Sequence, residues 1–91
     1  MIARTIHIHG KVQGVFFRDW TVDTARAIGI NGWVRNRRDG SVEVMAVGDP
    51  ALVDRFIDRL RDGSPASQVD GIDVSDVPLQ AIDGFTRRAT E

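Results

Sequence analysis

The sequence predicts an α+β fold in which a mostly antiparallel sheet carries two helices on one face, in the order β-α-β-β-α-β. Three observations predict it. Short runs of period-two alternation flank two segments of helical period. A hairpin signal, Asp39-Gly40, separates the two middle strand runs. Each helical segment carries a single apolar stripe, which has to be buried against a shared sheet. That order of elements is the split-βαβ pattern.

The first strand spans about Ala3–His9, with Ile6 and Ile8 on one face and His7 and His9 on the other. The first helix runs from about Phe17 to Ile28. Trp20, Thr21, Thr24, Ala25 and Ile28 form its inner face, and Gly29 is placed to end it. Strand two lies near Trp33–Arg37 and strand three near Val42–Val47. The Asp39-Gly40 pair between them signals a two-residue turn with positive φ. In strand three Val42, Val44 and Ala46 alternate with Glu43, Met45 and Val47. A second helix begins after Asp49 as N-cap, with Pro50 in the first helical position. Val53, Phe56, Ile57 and Leu60 follow its apolar spacing, and Gly63 stops it. A fourth strand is expected at Gln68–Val74, with Gly71 interrupting the alternation as a bulge does, and Pro78 closes the region. A short fifth strand is expected at Phe85–Arg88.

Ninety-one residues suit one domain, 1–91, with a single modest core. Twelve basic and 13 acidic residues give a net charge of −1, which argues against nonspecific binding to nucleic acid or membrane. There is no cysteine, so a disulfide framework, a thiolate metal site and a Cys nucleophile are excluded. The first strand begins almost at once, without the apolar core of a signal peptide, and no apolar run reaches membrane length. A cytoplasmic monomer is the expectation. Arg35, Arg37 and Arg38 form the one basic cluster. It reads either as a solvated hairpin or as a means of concentrating anionic substrates.

Two stretches carry the chemistry. Gly10-Lys-Val-Gln-Gly-Val-Phe-Phe-Arg18 lies between the first strand and the first helix. A strand, a glycine turn and a helix start expose several backbone N–H groups with a partial positive charge, which together cradle an anion. Arg18 stands at the helix mouth, where a planar guanidinium can grip a phosphate in two places. The second stretch runs from Gly32-Trp33-Val34 through Asn36, Asp39 and Gly40 to Glu43. Asparagine is disfavoured in strands, so Asn36 serves either the turn or a water or substrate oxygen.

On these residues the chain resembles the acylphosphatase family. The first signature of that family matches Gly10, Val12, Gln13, Gly14, Val15, Phe17 and Arg18. The second matches Gly32, Trp33, Val34, Asn36, Asp39, Gly40, Val42 and Glu43. The resemblance covers nearly the whole chain and implies a ferredoxin-like βαββαβ sandwich with the fifth strand at a sheet edge. It implies hydrolysis of acyl phosphates to a carboxylate and inorganic phosphate. Arg18 and the amides of Gln13, Gly14, Val15, Phe16 and Phe17 would bind the phosphate, and Asn36 would orient the attacking water. No cofactor or metal is implied, and the partner is a small-molecule acyl phosphate. Thr86 and Arg88 stand where an aliphatic and an aromatic residue are more usual in the family, and before strand four Ser64 and Ser67 replace commoner residues.

Other chemistry-bearing residues read more plainly. His7 and His9 are partly exposed strand residues outside both signatures. Asp70, Asp73 and Asp76 have a spacing of three, wrong for a calcium loop, and read as solvated turn residues. Gly10-Lys11 lacks the Ser or Thr of a nucleotide P-loop. Trp20 and Trp33 read as packing residues, and Lys11 as a loop residue or an anion attractor. The alternative function is a noncatalytic ferredoxin-like ligand-binding or regulatory module. An RNA-binding module fails on charge and on the missing aromatic strand pattern. A domain of a larger carbamoyl-transfer protein is also compatible with the resemblance.

Overall fold

The computed structural model describes residues 1–91. In chain order it contains β1 (Ile2–Lys11), α1 (Phe17–Ile28), β2 (Asn31–Asn36), β3 (Val42–Gly48), α2 (Pro50–Asp62), β4 (Gln68–Val77) and β5 (Phe85–Arg87). The strands form one sheet in the order β4-β1-β3-β2-β5. β1 pairs antiparallel with β3 and β4, and β2 with β3, while β5 joins β2 in parallel at the edge. The fold is the α+β, ferredoxin-like βαββαβ arrangement.

β1 and β4 extend each other. Ala3, Arg4 and Thr5 pair with Val77, Asp76 and Ser75, which carries β4 beyond Val74 to the residue before Pro78. The register then shifts: His9 faces Gly71, while Gly10 faces Val69. The extra residue of the bulge is therefore Asp70, one place before the expected Gly71. This corrects the reading of Asp70, Asp73 and Asp76, which lie on an exposed edge strand rather than in a turn. Asp73 accepts from or pairs with His9 at 3.1 Å, and Asp76 accepts from Arg4 at 3.0 Å. Charges along an edge strand discourage pairing with another chain.

The helix-covered face holds a core of 16 buried residues. Ile6, Ile8, Val34, Val42, Val44 and Ala46 of the sheet meet Phe17, Val22 and Ala25 of α1 and Val53, Phe56, Ile57 and Leu60 of α2. Phe17 is fully buried at the start of α1. Trp20 leans against it at 5.4 Å and, like Ile28, is only partly buried at the margin of the stripe. Phe56 meets Phe85 edge to face at 5.8 Å. Phe85 is the only buried residue of β5, so this pair anchors the strand. Asp49 caps α2 by accepting from the Ala51 N–H at 3.0 Å.

The other face of the sheet is not bare. Ala3, Trp33, Met45 and Val47 form a second small cluster, with Val77 and Ile82 packed against it. Met45 and Val47, on the outer row of β3, are buried for that reason. Farther along the same face Glu43 gathers Arg35 at 2.6 Å, the His7 ring at 3.2 Å and Arg37 at 3.3 Å. The guanidiniums of Arg35 and Arg88 lie over the Trp33 ring at 4.8 and 4.7 Å. Strand alternation sends Arg35 to this face and Asn36 to the opposite one.

The β2–β3 turn differs from the two-residue form. The Arg37 N–H donates to the Ser41 carbonyl (2.8 Å) and the Gly40 N–H to the Arg37 carbonyl (3.2 Å), so Arg38, Asp39 and Gly40 make a three-residue loop. Only Gly40 within it has positive φ, 94°. Asp39 Oδ1 accepts from the Ser41 hydroxyl (2.6 Å) and the Ser41 N–H (2.9 Å). The hydroxyl first, then the N–H, hold the Asp39 carboxyl below its usual range. This side chain to backbone closure favours the longer turn.

Two glycines separate backbone strain from steric exclusion. At Gly40 a Cβ would meet nothing within 4 Å. At Gly32, φ 141°, it would sit 1.8 Å from the Met45 carbonyl oxygen of the adjacent strand. Gly40→Ala should cost about 1–2 kcal/mol, the left-handed penalty alone. Gly32→Ala must also part β2 from β3 and should cost on the order of 3 kcal/mol or more. Denaturant unfolding of both variants measures this, and equal losses would contradict it.

Candidate active site

The loop between β1 and α1 is fastened at both ends by apolar side chains. Val12 and Phe17 are each 1% exposed, inside the main core. Between them Gly14 (φ 71°) and Phe16 (φ 59°, ψ 24°) take left-handed conformations. Such turns curl the backbone so that successive N–H groups line a concavity. No N–H from Gln13 to Asp19 donates to another backbone group, and the first bond of the helix start runs from Trp20 N–H to the Phe16 carbonyl at 3.1 Å. Phe16 stands at the N-cap and offers no side-chain acceptor. The amides and the helix dipole therefore present unsatisfied positive charge at one place.

Gln13 fixes where that place is. Its Nε2 donates to the Arg37 carbonyl and to the Ser41 carbonyl, both at 2.8 Å. A primary amide has two donors on one nitrogen, which suits two carbonyls that close one turn. The loop is thereby tied to the residues directly after Asn36.

A cleft of about 240 Å³ opens at this junction, lined by Val12, Gly14, Phe16, Phe17, Arg18, Asp19, Asn36 and Arg87. Arg18 is half-buried and its guanidinium has no ion-pair or hydrogen-bond partner within the chain. Arg87 of β5 pairs with Asp19 of α1 at 2.8 Å, so these two charges neutralise each other at one wall. Asn36 is 9% exposed, and its Oδ1 is buried without a partner. Its backbone carbonyl accepts from the Glu91 N–H at 3.0 Å, which holds the strand end in place. An orphaned buried amide oxygen costs about 1–3 kcal/mol, so its presence beside a cleft marks a group kept for an external donor.

Of the residues singled out in the sequence, Gly14, Phe16, Phe17, Arg18 and Asn36 meet around this one cleft. Gln13 and Val15 do not line it, and the Gln13 side chain is committed to the hairpin. Lys11, His7 and His9 are also absent from it. Arg35 and Arg37 are held by Glu43. Sequence reasoning missed Arg87 and Asp19. Asp19 adjoins Arg18 in the chain, but Arg87 enters only because β5 pairs with β2, with Arg87 opposite Val34. No group of three or more His, Cys, Asp or Glu side chains is arranged to hold a metal ion. A free guanidinium, a run of free amides and a buried acceptor suit an anion together with a hydrogen-bond donor such as water.

The chain is similar to known proteins over nearly its whole length. The profile of the acylphosphatase family matches residues 4–87. A protein of Rhizorhabdus wittichii named acylphosphatase is 57% identical over 89 residues, covering 98% of this chain and 90% of the relative. The crystal structure of acylphosphatase from Bacillus subtilis superposes with a TM-score of 0.94 at 35% identity, covering 97% of this chain and 99% of that one. A chain of full-length HypF, solved in its phosphate- and nucleotide-bound form, matches 98% of this chain with a TM-score of 0.85 at 30% identity. The match occupies only 12% of that longer chain.

The Gln13 tie is testable by itself. Gln13→Ala removes two hydrogen bonds, while each carbonyl keeps its backbone donor, and should cost about 1–3 kcal/mol of stability. Gln13→Glu sets carboxylate oxygens against those carbonyls and should cost more. Both should lower turnover, because the loop and Asn36 lose their common anchor. Chemical denaturation with parallel kinetics reads both effects; a folded Gln13→Glu protein as stable as the parent would refute the tie.

Proposed function

The chain belongs to the acylphosphatase family, and we propose that it hydrolyses acyl phosphates with Arg18 and the loop amides binding the phosphate and Asn36 holding the attacking water. The observation that carries this reading is the buried, unpartnered Asn36 Oδ1 in the same cleft as the free Arg18 guanidinium. A site that only bound an anion would have no use for an orphaned acceptor. This weighs against the noncatalytic ligand-binding module.

An acyl phosphate is a mixed anhydride of a carboxylic and a phosphoric acid. Water attacks phosphorus, the bond from phosphorus to the acyl oxygen breaks, and the carboxylate leaves with the bonding pair. A phosphate oxygen takes the proton of the water, and inorganic phosphate forms. Because the leaving group is good, the protein has to supply position and charge more than a strong base. Arg18 and the amides of Gln13, Gly14, Val15, Phe16 and Phe17 stabilise charge on the phosphoryl oxygens. Asn36 Oδ1 accepts from the water and sets its line of approach. The reaction as written needs no cofactor and no divalent ion. The same reading takes the protein as a cytoplasmic monomer acting on a small-molecule substrate, and no helix is long and apolar enough to cross a membrane.

Purified protein should release phosphate from acetyl phosphate in excess chelator, with inorganic phosphate as a competitive inhibitor. A strict need for a divalent ion, or a rate equal to the buffer blank, would remove the proposal. Arg18→Lys keeps the charge but loses the bidentate fork. It should cost roughly 3–5 kcal/mol in the transition state, two to four orders of magnitude in kcat/KM. Asn36→Ala should lower kcat steeply while leaving phosphate inhibition close to the parent value. The reverse pattern, lost phosphate binding with normal kcat, would make Asn36 a binding residue and end its water-orienting role.

A further inference from the structure

Phe16 is the one large apolar side chain at the cleft that the core does not use. It is 82% exposed, whereas Val12 and Phe17, the other apolar residues there, are each buried to 1% exposure. It is also the only non-glycine residue in the chain with positive φ. Both features are costly: an aromatic L residue is disfavoured in the left-handed region, and an exposed ring leaves apolar surface in water. Nothing inside the chain offsets them. The ring pairs with no other aromatic ring, and no cation lies over it. Glycine or asparagine would hold the same backbone shape at lower cost. The ring is thus not explained by the loop it sits on.

The direction of the reaction says what the ring faces. In-line displacement puts the attacking water and the leaving group on opposite sides of phosphorus. Asn36, which holds the water in the reading above, is on the buried side of the cleft. The leaving carboxylate and its substituent then lie on the open side. Arg87 and Asp19 are exposed there but satisfy each other at 2.8 Å, which leaves the Phe16 ring as the apolar surface available.

We infer that the Phe16 ring is the contact surface for the acyl group and sets how far the enzyme discriminates between an aromatic acyl group and a small aliphatic one. This rests on the proposed acyl phosphate hydrolysis and on the placement of water at Asn36. The contact is made away from the reacting bonds, so it acts in the ground state as well as the transition state and appears mainly in KM. Stacking of two aromatic groups on a partly solvated surface corresponds to about a three- to ten-fold effect.

The test measures kcat and KM for benzoyl phosphate and acetyl phosphate with the parent protein, Phe16→Ala and Phe16→Tyr. Phe16→Ala keeps a Cβ and its backbone strain, so it removes the ring alone. The benzoyl-to-acetyl ratio of kcat/KM should fall three- to ten-fold in Phe16→Ala, through KM. Phe16→Tyr retains the ring and should retain the ratio. Comparing ratios between variants cancels the intrinsic reactivity difference of the two substrates. An unchanged ratio in Phe16→Ala, including equal losses on both substrates, overturns the inference while leaving the hydrolase reading intact. Hydrolysis of neither substrate by the parent protein overturns both.

Discussion

The two hydrogen bonds from Gln13 to the Arg37 and Ser41 carbonyls are the constraint on which the site depends. The anion-binding loop ends β1 and starts α1, whereas Asn36 ends β2. The sheet brings those ends near each other, with Ile8 and Asn36 both opposite Val42. One amide nitrogen then ties the loop to the hairpin, as a second donor to two carbonyls of the three-residue turn. The same bonds make the turn itself consequential. A shorter hairpin would offer a different set of carbonyls, and Asp39 keeps the longer one closed by bonding Ser41. The β1–β3–β2 register and the buried anchors Val12 and Phe17 bring Arg18 and Asn36 to the same end of the sheet, and the Gln13 hydrogen bonds fix the loop against the hairpin there.

The two faces of the sheet divide labour by charge. On the helix side the charges at the cleft are Arg18, which is free, and Arg87 with Asp19, which are paired. On the other side Glu43 collects Arg35, Arg37 and His7, and Trp33 lies beneath Arg35 and Arg88. Cations that look in the sequence like a single basic cluster around the hairpin are thus partly neutralised on the face away from Asn36. The field in the cleft comes from one guanidinium, the free amides and the α1 dipole. Such a source is short-ranged and directional, as binding one phosphoryl group requires.

The site is also where the molecule tolerates its unfavourable features. Phe16 holds a left-handed conformation with its ring in water, Asn36 buries an acceptor without a donor, and several helix-start amides have no partner. Away from the cleft one buried side-chain atom, the Ser64 hydroxyl after α2, also lacks a partner, and the core draws on both helices and four of the five strands. Strain concentrated beside a cleft fits a scaffold that is rigid because of its core and reactive because of its loop. The close match to the Bacillus subtilis enzyme at 35% identity shows that the scaffold persists through much sequence change.

Local physics made much of this molecule legible in the sequence. Helical and strand periods located the elements within a few residues, because apolar spacing is set by the geometry of one element at a time. The glycine turn before α1, Arg18 at the helix mouth and Asn36 at a strand end were readable for the same reason. What escaped depends on contacts between distant segments. β4 is longer than its own alternation suggests, because β1 continues to offer it backbone partners. Gln13 reads as a loop residue until the hairpin, 24 residues on, supplies two carbonyls for it. Arg87 reaches the cleft only after β5 takes its place beside β2, 68 residues from Asp19. Sequence alone determined which groups the chain carries and on which elements they sit. Tertiary structure decided which of them are neutralised and which stay free, because pairing of charges and hydrogen-bond donors is settled by distances that only the assembled sheet defines.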